Sequence, residues 1–113
     1  MDTFILPADT LTALQKMTCI TRDMITATEQ ETNSIALGDN LAFGDHARSK
    51  QMYFSIYRQA AQEFFSRQQE FFALKSGSLE ELCQLQARLK SEIGINMNFL
   101  DKIRHYPDFK KLS

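Results

Sequence analysis

The sequence predicts an all-α protein: a long antiparallel helical hairpin plus a third helix, closed into a coiled-coil-like three-helix bundle. Three observations predict it. Residues 41–75 hold eight of the chain's twelve aromatic residues, with no Pro and no Gly after Gly44. Leu79, Leu82, Leu85, Leu89, Ile93, Met97, Leu100 and Ile103 recur at the three- and four-residue spacing of a single helix face. No stretch alternates apolar and polar residues as a half-buried strand would. The 113 residues fit one helical domain, with helices expected over about 9–37, 41–76 and 78–106, an N-terminal arm over 1–8 and a tail over 107–113.

In chain order, Phe4, Ile5 and Leu6 precede Pro7 in an arm that either folds back on the bundle or stays mobile. Asp9 or Thr10 can cap the first helix by accepting from N–H groups one turn on. The apolar line of that helix, Ala13, Met17, Ile20, Met24 and Ala27, is thin and diluted by seven threonines between Thr10 and Thr32. Threonine lowers helix propensity slightly. This helix is therefore expected to be held by its aromatic neighbour, the element on which the rest of the chain is built.

Gly38-Asp39-Asn40 marks the first reversal, with Gly38 suited to a left-handed helix end and Asp39 or Asn40 to the next cap. In the second helix Phe43, Ala47, Phe54, Tyr57, Ala61, Phe64, Phe65, Phe71 and Phe72 share one broad arc, while Arg48, Gln51, Arg58, Gln62 and Gln69 take the other side. An uninterrupted helix here is on the order of 45–50 Å long. One neighbour covers a seam two residues wide in seven, so this arc needs two neighbours or a partner protein. The bundle either buries all of it or leaves a surface open to a partner helix. Ser78 with Glu81 forms a capping box for the third helix. Gly94 inside that helix points to a close approach or a point of give, and Pro107 stops it.

Composition narrows the function. Net charge is -1, so no basic field exists to draw nucleic acid or anionic lipid. No segment approaches the ~18 apolar residues of a membrane span. Asp2 stands where a secretory signal would carry basic residues, so a cytoplasmic location is expected. Cys19 and Cys83 are isolated and are expected to be buried thiols in a reducing compartment. His46 and His105 lie far apart, with no His or Cys at i+3 or i+4 to make a metal pair. Glu29 and Glu31 face different sides of a helix, and the four glycines are too scattered to cradle a phosphate. No catalytic residue, cofactor or metal is therefore expected.

The hairpin carries a further pattern. Glu31-Thr-Asn-Ser-Ile35-Ala-Leu-Gly38-Asp39, followed eleven residues on by Lys50, resembles the E-N-x-x-L-x-x-G-D … K hairpin of flagellar export chaperones of the FlgN type. Leu89, Asn96, Leu100 and Ile103 are similar to that family's Asn-containing C-terminal helix. The phenylalanine density of the second helix departs from the Leu- and Ala-rich composition usual there.

The resemblance implies a non-enzymatic cytoplasmic chaperone. Such a protein binds the C-terminal amphipathic helices of hook-filament junction proteins and delivers these flagellar hook-associated clients to the export apparatus. Leu89, Ile93, Met97, Leu100 and Ile103 are then the client-facing residues, together with Phe64 and Phe71 of the aromatic helix. Met97 adds an adaptable contact, and Tyr106 takes the position of a C-terminal tyrosine that touches the export gate. A different class of role also fits: a scaffolding bundle that closes surplus aromatic surface by forming a homodimer.

Overall fold

A computed structural model describes residues 3–74 and 77–105, without the side chains of 104 and 105. Among the described residues four helices follow one another: α1 (Thr10–Leu37), α2 (Asn40–Ser66), α3 (Gln68–Ala73) and α4 (Gly77–His105). The described residues contain no strand, and the chain is an all-α bundle. Asp9 caps α1, its carboxylate accepting from the Thr12 N–H at 2.9 Å and the Thr12 hydroxyl at 2.6 Å. Those two bonds hold the Asp9 carboxyl below its ordinary range. Gly38 ends α1 at φ 70°, where a side chain would be strained. From there the Gly38 and Asp39 N–H groups return to the Ile35 and Ser34 carbonyls, both at 3.0 Å. Asp39 then caps α2 by accepting from the Ala42 N–H at 3.0 Å.

The helix at the centre is α1, not the aromatic α2. It packs along α2 on one flank and α4 on the other, with α3 across its start. Fourteen of its 28 residues are buried, whereas α2 buries fully only Ala60. The threonines explain the reversal. Thr18, Thr21, Thr28 and Thr32 are buried, and each hydroxyl donates to the carbonyl four residues back, at 2.8–3.0 Å. With the polar atom satisfied inside the helix, the small methyl-bearing face is free to meet both neighbours closely.

Interhelical pairs fix the directions. Arg22 meets Glu81, and Arg88 donates to Glu29 at 2.6 Å, so α1 and α4 run parallel while α2 returns antiparallel between them in sequence. On α4 the buried residues Leu82, Leu89 and Asn96 stand seven apart, a heptad row against α1. The molecule is flattened, with extents of 52 × 32 × 18 Å.

The long second helix is broken at Arg67, whose backbone leaves the helical region at φ -111° and ψ 16°. The N-terminal arm accounts for the break. It folds back, burying Leu6, and its Ile5 and Leu6 N–H groups donate to the Glu63 carboxylate at 3.0 and 2.8 Å. The Arg67 guanidinium donates to the Pro7 and Ala8 carbonyls at 2.8 and 2.9 Å, and to Glu70. The turn brings Phe71 onto Phe64 with ring centroids 4.2 Å apart. In an unbroken helix residues seven apart are separated by about 10 Å. Phe71 thereby becomes a fully buried plug beside Leu14 and Met17.

Three smaller expectations are corrected. Cys19 and Cys83 are both exposed and unpaired, because the buried row on each helix is offset from them by a residue. A Cβ at Gly94 would meet open space, so no element approaches closely there, and α4 continues through it. Ser78 lies one residue inside α4, which begins at Gly77.

Candidate functional site

Two polar rungs tie the three long helices together on one face. In the first, α1 supplies Thr21, α4 Gln86 and α2 Tyr57. The Gln86 amide donates to Thr21 Oγ1 at 3.0 Å, and the Tyr57 hydroxyl donates to the Gln86 carbonyl oxygen. Burial pushes the Tyr57 phenol above its ordinary value, with the bond to Gln86 acting the other way. In the second rung Lys50 Nζ of α2 donates to Glu31 Oε1 at 2.7 Å and to Asn96 Oδ1 at 2.9 Å. Asn96 Nδ2 donates in turn to Glu31 Oε1 and Thr32 Oγ1, both at 2.9 Å. Among the described residues no buried side-chain nitrogen or oxygen lacks a hydrogen-bond partner.

Beside the second rung lies a depression of about 130 Å³ between α2 and α4. Met24 and Thr28 of α1 form its floor, Phe54 and Lys50 one wall, and Ile93, Asn96, Met97 and Leu100 the other. Phe54 also belongs to a second, more open hollow of about 460 Å³ formed by Tyr57, Arg58, Ala61, Gln62 and Phe65 along α2. Phe54 lines both hollows, so the exposed apolar strip of α2 that ends at Phe65 begins at the edge of the α4 depression. Phe65 is 70% exposed, Met97 62% and Phe54 46%. From Phe54 to Phe65 the strip spans roughly 16 Å, about three turns of a docked helix.

The expected site residues divide sharply. Met97, with Ile93 and Leu100, lines the depression. Ile103 is half-buried farther along α4. Phe71 and Leu89 are corrected: at 0% and 2% exposure they serve the core, Phe71 because the Arg67 break turns it inward and Leu89 because it stands in the heptad row facing α1. Phe64 packs against the same core. Tyr106 lies outside the described residues. Phe54, Ala61 and Phe65 were absent from the expected set, although their spacing along α2 already put them on one stripe.

The described residues hold no cluster of three or more metal-ligating side chains. None of their helices is long and apolar enough to cross a membrane. Comparison with known protein families, with characterised proteins and with solved structures finds no match to this chain.

Proposed function

We propose that this protein is a non-enzymatic chaperone of the flagellar or a related type III export system. It holds the C-terminal amphipathic helix of a hook-filament junction protein and passes it to the export apparatus. The observation that carries the reading is the exposed apolar strip along α2 from Phe65 to Phe54, which meets the depression between α2 and α4. A docked helix covering Phe54, Phe65 and Met97 removes the half to two-thirds of each side chain that is still exposed, worth about 1–2 kcal/mol apiece. The positions behind the family resemblance lend support. Gly38-Asp39 forms the tight turn, and Glu31, Lys50 and Asn96, far apart in sequence, meet in one rung beside the strip.

Titration of the full chain with labelled peptides spanning the C-terminal helices of hook-filament junction proteins tests this. Binding weakened by one to two decades in Phe65→Asp is expected, and Phe4→Asp, on the N-terminal arm, leaves it unchanged. Absence of binding to any such peptide overturns the proposal. The second reading, self-association through the aromatic face, is favoured by the exposure of Phe65. It predicts a concentration-dependent dimer in sedimentation that Phe65→Asp dissolves.

A further inference from the structure

We infer that the occupant of this strip is an amphipathic helix with a carboxylate in the middle of its apolar face. The inference rests on the helix-docking reading and adds to it the chemistry of the partner. Phe54, Arg58, Ala61 and Phe65 step by four, three and four along α2. At ~100° per residue they fall within about 60° of arc, so Arg58, expected on the polar side of α2, instead borders the apolar stripe. The stripe is therefore apolar at both ends, small at Ala61 and cationic at Arg58.

Arg58 is exposed. Of the arginines whose side chains are described, Arg22, Arg48, Arg67 and Arg88 each have a carboxylate partner, whereas no carboxylate among the described residues pairs with Arg58. A helix laid between Phe54 and Phe65 takes water away from the guanidinium. Burying that charge unpaired is costly. A carboxylate opposite it restores a charge-assisted, potentially bidentate bond.

The same geometry decides against a second copy. The stripe is self-complementary in spacing, since a two-fold axis between residues 59 and 60 sets Phe54 against Phe65 and Arg58 against Ala61 of the other chain. That arrangement also brings the two Arg58 guanidiniums within one helical turn of each other, where like charges repel. Spacing admits a homodimer, and charge selects an acidic partner.

Three capped 18-residue helical peptides test this, each with leucines along one seam and Glu, Gln or Lys at its centre. Fluorescence anisotropy against the full chain should rank Glu about fivefold tighter than Gln, with Lys weakest. Arg58→Glu should reverse the order of Glu and Lys, and Arg58→Gln should level all three. Circular dichroism checks that each variant folds. Equal binding of the three peptides to the unaltered chain, or an order that survives Arg58→Glu, overturns the acidic-seam inference and leaves helix docking standing. No binding by any peptide overturns both. A dimer that tightens in Arg58→Ala and shuts the peptides out also overturns it, by making the second copy the occupant.

Discussion

Lys50 of α2 sets its ammonium 2.7 Å from the Glu31 carboxylate of α1, and both groups bond to Asn96 of α4. The side chain of Glu31 is only 3% exposed, against 22% for Lys50, so the carboxylate depends on its partners far more than the ammonium does. Removing one member of such a pair leaves a buried group uncompensated, whereas replacing both with apolar residues is nearly neutral. Asn96 occupies a core position of the heptad row, where a polar residue fixes register.

Lys50→Ala, which strands the buried Glu31 carboxylate, is therefore expected to cost about 3 kcal/mol in urea denaturation. The double variant Glu31→Leu with Lys50→Met should recover at least half of that loss. Simple additivity of the two single changes would contradict the rung.

The two outcomes for aromatic residues on one segment give a second prediction. Phe71→Ala should destabilise by about 3–5 kcal/mol, because it empties a fully enclosed site. Phe65→Ala should stay within about 0.5 kcal/mol of the parent. Similar losses at both positions would mean that the break at Arg67 does not sort the rings as described.

Gly94→Ala should stabilise the protein by about 0.5–1 kcal/mol. The added methyl meets nothing within 4 Å, and alanine has the higher helix propensity and the less flexible unfolded chain. The shift in thermal midpoint reads this directly, and a loss of stability would place a neighbour where none is found.

Tyr57 gives the fold a pH dependence on the alkaline side. Burial holds its phenol above the ordinary value of 10.0, so as pH rises the unfolded chain gives up this proton first. The contribution is intact below about pH 10 and is lost as pH climbs through the folded-state value. Alkaline unfolding curves for the parent and Tyr57→Phe should diverge in slope above pH 10. Identical slopes would remove Tyr57 as the source.

The hairpin was legible because its signals are local. Gly38 ends one helix, Asp39 caps the next, and both act within four residues. The central place of α1 was hidden because threonine reads as a weak helix residue. Its packing value emerges only once the hydroxyl is returned to the preceding turn and both flanks are occupied. The break at Arg67 depends on carbonyls about 60 residues away, which no window around residue 67 contains. The same holds for the strip. The stripe of Phe54, Ala61 and Phe65 is visible as spacing, but which rings stay uncovered depends on how α4 settles against α1.

Hydrogen exchange of the full chain, with and without the C-terminal helix peptide of a hook-filament junction protein, tests the helix-docking strip most directly. The peptide should slow exchange at residues 54–65 and 93–100 together and leave the α1 core, already protected, unchanged. Protection that falls elsewhere, or none at saturating peptide, would contradict the strip as a docking surface.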